Sequence, residues 1–277
     1  MEEVIKKAGV LIEALPYIKE FAGKTFVIKY GGKAMVDEAL KNSVVQDIVL
    51  MKYIGINPVV VHGGGPEISA AMEKAGLKPV FVNGRRVTDK QTMDIVESTL
   101  FGKTNKEIVH MFNTHGGKAK GLNGKDENLL ITGMLDKDLG FVGEIEKVHT
   151  SVLAKYKKFI PVIAPIGIGH DGNAYNINAD DAAAAVSVAL KAEKLILITD
   201  VSGVLHNKAL VHSINMKDVK KMIKDEIITG GMIPKVHSCM TAIEGDVRKA
   251  HIINGTVKHS LLIEIFTKTG VGTEVVK

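Results

Sequence analysis

Thr25-Phe26-Val27-Ile28-Lys29-Tyr30-Gly31-Gly32 and Pro58-Val59-Val60-Val61-His62-Gly63-Gly64-Gly65-Pro66 repeat one local pattern. Each is a short apolar run, without the alternation of a half-buried strand, that stops at consecutive glycines. Such a run reads as a strand buried on both faces, the situation of a parallel sheet covered by helices on each side. The glycines mark the tight turn by which a strand hands over to a helix.

Outward from these two stretches the pattern continues. A helical stretch near Glu38 to Tyr53 separates them, and another at Glu67 to Ala75 follows the second. Phe81-Val82 is a short strand, and a long helix is expected near Asp89 to Asn113. Residues from Lys118 to Glu146, rich in glycine and lysine, read as hairpins. Phe159 to Ala164 and Leu195 to Thr199 are again buried-type strands, separated by an alanine-rich helix from Ala179 to Lys191. Gly230-Gly231 opens a last helix, and Leu261 to Phe266 reads as the closing strand. Strands alternating with helices in this way predict an α/β fold, a three-layer sandwich around a mostly parallel central sheet, with two lobes sharing that sheet. Ahead of the first strand, Val4, Ile5, Ala8, Leu11, Ile12, Leu15 and Ile18 have helical spacing, with Pro16 expected to kink or interrupt the helix and Gly23 to end it. That helix either caps its own subunit or packs as an arm on a neighbouring chain.

At 277 residues with 45% hydrophobic and 24% charged residues, the chain is globular in composition, which excludes disordered and fibrous classes. The formal charge of +5 is spread among acidic residues, which favours anionic small-molecule ligands over nucleic acid. The single cysteine, Cys239, excludes an internal disulfide and a thiolate metal cluster, and no histidine pair has the helical zinc spacing, so no protein-held metal is expected. Asn254-Gly255-Thr256 reads as a turn between two strands rather than a glycosylation site. The start of the chain, with Glu2 and Glu3, lacks the order of a signal peptide, and no apolar run approaches the roughly 20 residues of a membrane span. A cytoplasmic location is expected.

In a parallel sheet, ligands bind beyond the carboxyl ends of the strands. Gly31-Gly32, Gly63-Gly64-Gly65 and Gly230-Gly231 fall there, and glycine amides approach phosphate oxygens closely. Lys29 lies inside a buried strand, where a charge is costly unless it is paired or functional; an edge position with the ammonium reaching outward is the other reading. Lys235 sits just inside a glycine-opened helix, as a phosphate ligand or as a solvated surface lysine. Asp180 begins the alanine-rich helix, as its N-cap or as a carboxylate that holds two lysines in place. Cations and amides around a transferring group, with magnesium on the nucleotide, are what phosphoryl transfer needs. A Walker-type phosphate loop is absent. Gly167-Ile168-Gly169-His170-Asp171-Gly172 matches the dinucleotide fingerprint, but no helix is expected to follow it, so the match is read as chance.

Taken in order, Val27 to Lys33, Val59 to Pro66, Asn83-Gly84-Arg85-Arg86-Val87-Thr88, Asn176 to Asp180, Leu197 to Val204 and Gly230 to Lys235 resemble the amino acid kinase family over nearly the whole chain. The Asn-Gly-Arg-Arg-Val-Thr segment is similar to the substrate loop of members that phosphorylate N-acetyl-L-glutamate. The resemblance implies ATP with Mg2+ held mainly by the nucleotide, and an acyl phosphate product, N-acetylglutamyl 5-phosphate, in arginine synthesis. It further implies that Lys29 and Lys235 stabilise the moving phosphoryl group, that Asp180 orients them, and that Gly64, Gly65, Arg86 and Asn176 hold the acceptor. Gly31, Gly32, Asp200, Gly203 and Gly231 would hold the nucleotide. The division implied is residues 1–22 for oligomerisation and regulation, 23–175 for acceptor binding and dimerisation, and 176–277 for ATP.

The N-terminal helix resembles that of arginine-inhibited members, whose helices interlace dimers into a hexameric ring, a trimer of dimers on which a regulatory signalling protein can dock. On that resemblance Tyr17, Glu264 and Gly272 would contact arginine, and a plain capping helix with a closing strand is the other reading. Two alternatives stay open: a related kinase acting on another carboxylate, and a non-catalytic sensor of arginine or a nucleotide.

Overall fold

The computed structural model describes the backbone of residues 1–277 and the side chains of position 1 and positions 9–277. Its main sheet has 8 strands: β1 (Thr25–Tyr30), β2 (Asn57–His62), β3 (Ala119–Asn123), β4 (Ile160–Ala164), β5 (Lys194–Thr199), β6 (Ser213–Asn215), β7 (Lys249–Asn254) and β8 (Thr273–Val276). Across the sheet they run β6-β8-β7-β5-β1-β2-β4-β3, and every neighbouring pair is parallel except β7 and β8. The nine helices used below are α1 (Glu2–Phe21), α2 (Glu38–Tyr53), α3 (Gly65–Lys74), α4 (Lys90–Thr99), α5 (Lys106–Thr114), α6 (Ala179–Ala189), α7 (Met216–Lys224), α8 (Met232–Glu244) and α9 (Ser260–Phe266).

The unbroken apolar strands are explained by cover on both faces. Phe26 and Ile28 of β1 join Val60, Ile196 and residues of α2, α5 and α9 in one core cluster. Val27 joins Val59, Leu195 and residues of α6 and α8 in another. Alternation along the strand then puts Lys29 on the face of Val27, beneath α6. Ala182, Ala183 and Ala184 of that helix are buried, and their short side chains let its backbone lie close to β1 and β2. Asp37 and Asp89 cap α2 and α4 by accepting from Leu40 and Thr92 amides at 2.9 and 2.7 Å. A smaller sheet of 4 strands pairs Ile166–Gly169 with Ala174–Asn176 and with the hairpin of Leu130–Met134 and Gly143–Val148. It carries Asn176 to the main sheet's carboxyl edge. The glycine string 167–172 is therefore a hairpin.

Several expectations are corrected. Leu261 to Phe266 is helical (α9), and β8 closes the sheet instead. A short, mostly apolar run fits a buried helix as well as a strand, and here Leu261 and Ile265, four apart, face the core while Glu264 turns to His251. Residues 119–123, expected in a hairpin, form the sheet's edge strand β3, parallel to β4; Lys120 and Gly121 hid its strand character. The Asn254-Gly255-Thr256 turn leads from β7 toward α9, not between two strands. The long helix near 89–113 is two helices joined by a π-helical stretch, Leu100–Asn105. Helix α1 runs on through Pro16; its Val4, Ile5 and Ala8 side chains lie outside the described residues. Among the described residues no helix is long and apolar enough to cross a membrane.

Candidate active site

Strands β1, β2 and β5 lie side by side, and their carboxyl ends deliver Gly31-Gly32, Gly63-Gly64-Gly65 and Asp200 to one edge. Lys29 Nζ, at the end of β1, lies 3.0 Å from Asp180 Oδ1, and Lys235 Nζ, in the first turns of α8, donates to Asp180 Oδ2 at 2.9 Å. Lys29 is thus neither an edge residue nor directed to solvent. The contact with Asp180 Oδ1 is an ion pair that falls outside hydrogen-bond alignment. Burial pushes the Asp180 carboxyl upward, but the ammonium groups of Lys29 and Lys235 outweigh it and hold the acid below its ordinary value. Asp180 is not the N-cap of α6. Asn178 is, accepting from the Asp180 and Asp181 amides at 2.8 and 3.3 Å, which frees the Asp180 side chain for the lysines. A Cβ on Gly31 would lie 2.5 Å from Lys29 Nζ, so glycine there keeps the ammonium's path open.

These three residues form the wall between two cavities. The first, of about 280 Å³, is lined by Lys29 and Asp180, with Gly31, Gly32, Gly64, Gly65, Arg86 and Asn176 around it. The second, of about 400 Å³, is lined by Lys235, with Asp200, Gly203 and Gly231. Gly31 and Gly32, expected with the nucleotide, therefore face the first cavity rather than the second.

Arg86 is buried at 6% exposure. Its guanidinium donates to Gly65 O and Ser69 Oγ, both at 2.9 Å, and to Met72 Sδ, and stacks over the Phe81 ring at 4.7 Å. Among the described residues no carboxylate pairs with it, so a cation held inside a cavity keeps its charge uncompensated. Burial lowers its pKa from the ordinary arginine value. Asn176 Nδ2 donates to Thr88 Oγ1 at 3.2 Å, and Thr88 in turn donates to Arg86 O at 2.8 Å, so the two acceptor-side residues are tied together. Neighbouring Arg85 pairs with Asp181 at 2.8 Å, and Ser238 donates to the same carboxylate at 3.0 Å. That chain links the Arg85–Arg86 strand, which pairs antiparallel with Phe81–Val82, to the helix bearing Lys235, and the sequence pattern carries no signal of it. Asn178 had one: an Asn two positions before an Asp at the start of an alanine run.

A third cavity, of about 580 Å³, lies between α1, α9 and the ends of β5 and β7, and is lined by Tyr17 and Glu264. Glu264 accepts from the Val271 and Gly272 amides at 2.7 and 2.9 Å and pairs with His251 Nδ1 at 2.7 Å. Gly272 does not line this cavity; it holds Glu264 from behind. Lys194, 3.1 Å from His251 Nε2, is pushed down to about 8 by burial and then by Lys249. Among the described residues no group of three or more His, Cys, Asp or Glu is arranged to hold a metal ion.

Comparison with known proteins gives consistent likenesses. The profile described as the amino acid kinase family matches residues 24–254. An acetylglutamate kinase of Geotalea daltonii is 53% identical over 290 residues, covering 99% of each chain. An acetylglutamate kinase of Heliobacterium modesticaldum is 49% identical over 295 residues, covering 100% of each. Among solved structures, N-acetylglutamate synthase from Neisseria gonorrhoeae, complexed with coenzyme A and L-arginine, superposes with a TM-score of 0.82 at 26% identity, over 98% of this chain and 65% of that one.

Proposed function

The chain belongs to the amino acid kinase family, and on that premise we propose that it transfers the γ-phosphoryl group of ATP to the side-chain carboxylate of N-acetyl-L-glutamate. The observation that carries this reading is the Lys29–Asp180–Lys235 arrangement between two cavities, one of which holds the uncompensated cation Arg86. Relatives at about half identity over the full chain bear the name acetylglutamate kinase. The chain is accordingly an enzyme, a phosphotransferase with a carboxyl acceptor. Its intact lysines and aspartate disfavour the non-catalytic sensor.

MgATP enters as a substrate in the cavity of Asp200, Gly203 and Gly231, with its triphosphate against the N-terminus of α8. The acceptor lies in the first cavity, its carboxylates toward Arg86 and its acetylamino portion toward Asn176. A carboxylate oxygen attacks the γ-phosphorus while the bond to the β–γ bridging oxygen breaks, and that electron pair leaves with ADP. The acceptor is already ionised near neutral pH, so no general base is needed. Negative charge on the transferring oxygens is met by Lys29, Lys235 and the Gly32 and Gly64 amides, with Asp180 fixing the lysines. The site's substrate, ATP, agrees with a cytoplasmic location.

Regulation by arginine and assembly into a trimer of dimers belong to the same proposal. Leu11, Ile12 and Leu15, which share one face of α1, are 72, 69 and 41% exposed, an apolar strip that favours an arm packing on a second copy. The cavity with Tyr17 and Glu264 at the root of that helix suits a guanidinium ligand. The test is ADP release by the purified protein with N-acetyl-L-glutamate, glutamate, aspartate or uridylate, with and without arginine. Turnover restricted to N-acetyl-L-glutamate is expected; turnover with another acceptor only would replace the substrate assignment.

A further inference from the structure

His62 is the last residue of β2 and is fully buried behind the glycine turn. Its Nδ1 lies 2.7 Å from Gly63 O, and its Nε2 lies 3.2 Å from Asn105 Nδ2. The proton positions follow from the partners. Asn105 Nδ2 also meets Val162 O at 2.9 Å, and a carbonyl only accepts, so the amide nitrogen rather than the oxygen occupies that corner. An amide nitrogen only donates, so His62 Nε2 is a bare acceptor. Burial lowers the imidazole to about 4, which keeps it neutral near pH 7. A neutral imidazole with a bare Nε2 carries its hydrogen on Nδ1, and that hydrogen is given to Gly63 O.

In a trans peptide the C=O and the following N–H point in opposite directions. Holding Gly63 O against the buried imidazole therefore turns the Gly64 N–H the other way, toward the cavity that Gly64 lines. Gly63 N–H is itself spent on Tyr30 O at 2.8 Å, extending the β1–β2 ladder, so both sides of the turn are fixed. Among the described residues the Gly64 N–H has no acceptor. Asn105 comes from the π-helical stretch Leu100–Asn105, and Leu100 of the same stretch fills the space where a Cβ on Gly64 would stand. A π-turn at this point places both side chains against the glycine turn, which a regular helix spacing them differently would not do.

We propose that His62, oriented by Asn105, is a positioning residue that aims the Gly64 amide at the oxygen which becomes charged during phosphoryl transfer. This rests on the reading of Gly64 as an oxyanion donor in the carboxylate kinase reaction described above. Asn at position 62 can put its Nδ2 where Nδ1 stands and keep the donor to Gly63, whereas Gln reaches toward Asn105 and loses it.

The experiment is steady-state kinetics of His62→Gln and His62→Asn with MgATP and N-acetyl-L-glutamate, beside thermal melting and ¹⁵N NMR of the histidines in the wild-type protein. His62→Gln is expected to lower kcat by roughly 10- to 100-fold, with the KM for ATP within about twofold of wild type, and His62→Asn to recover most of the loss. The NMR is expected to show His62 neutral with its proton on Nδ1. Equal losses in the two variants, a His62→Gln kcat within about twofold of wild type, or a wild-type His62 protonated on Nε2 would each overturn the proposal. The NMR arm reads the tautomer whether or not a variant folds. Absence of wild-type turnover with N-acetyl-L-glutamate would instead count against the substrate reading, so the two failures are distinguishable.

Discussion

Asp180→Asn preserves the shape of the side chain and removes the one negative charge between two ammonium groups. At 3.0 and 2.9 Å each ion pair has a gross attraction of about 5–6 kcal/mol at an effective dielectric near 20. Desolvation of the buried carboxylate offsets much of this, and removing one partner of a buried pair typically costs about 3–5 kcal/mol. The Lys29 and Lys235 side chains are 11 and 18% exposed and border cavities, so both can turn toward water once released. The expected loss therefore falls below that range, about 2–3 kcal/mol, or roughly 5–10 °C in melting temperature for a chain of this size. The native carboxyl is held below its unfolded value, so its stabilisation is present above about pH 4 and is lost as pH falls through the native value. The variant's deficit should accordingly be full at pH 7 and shrink in acid. Because the lysines no longer share an anchor, kcat should fall roughly 10²- to 10³-fold. Coupled detection of ADP and thermal melting at pH 7 and in acid are the assays. A kcat within about threefold of wild type in a folded variant would refute the anchoring role of Asp180.

Arg86→Lys keeps the charge but loses the planar fork, so the KM for the acceptor should rise about 10- to 100-fold while the KM for ATP stays within about twofold; parallel rises in both would contradict its placement on the acceptor side. Asp47, buried on α2, is pushed up to about 6 because burial outweighs its hydrogen bond from His259. Its native pKa lies above the unfolded one, so the folded state binds the extra proton and stability is lost as pH rises from about 4 to 6. Asp47→Asn should flatten that slope, which is worth up to about 3 kcal/mol in urea unfolding at the two ends of the window. Deleting residues 1–15 should abolish higher oligomers and arginine inhibition while leaving dimer turnover, as read by light scattering and ADP release. That boundary spares Phe21, which is buried against Phe26 with ring centroids 5.2 Å apart, and which removal of the whole helix would strip from the core.

The legible part of the fold was the part with two-sided burial. β1, β2, β4 and β5 have apolar runs because helices cover both faces, and the glycine stops of β1 and β2 coincide with the edge where ligands bind. Strand β3 was hidden because an edge strand tolerates Lys120 and Gly121. α9 reads as a strand because Leu261 to Phe266 is apolar apart from Glu264, and only its contacts with α2 and His251 decide its shape. At the site, Lys29 stood out as a charge in a buried strand, and Lys235 and Asp180 through their glycine and alanine contexts. Arg86 could be placed only through the family resemblance, since nothing in a two-residue arginine pair says which one is buried. The Arg85–Asp181–Ser238 link and the His62–Asn105 pair join residues up to 96 positions apart, and no local pattern reports such contacts.

The central claim is that a carboxylate of N-acetyl-L-glutamate receives the γ-phosphoryl group. Running the reaction in hydroxylamine tests it most directly, because an acyl phosphate is captured as a hydroxamate and a phosphate ester is not. The account predicts hydroxamate formed in equal amount to ADP, dependent on N-acetyl-L-glutamate and slowed together with ADP release in Asp180→Asn. ADP release without hydroxamate would contradict it.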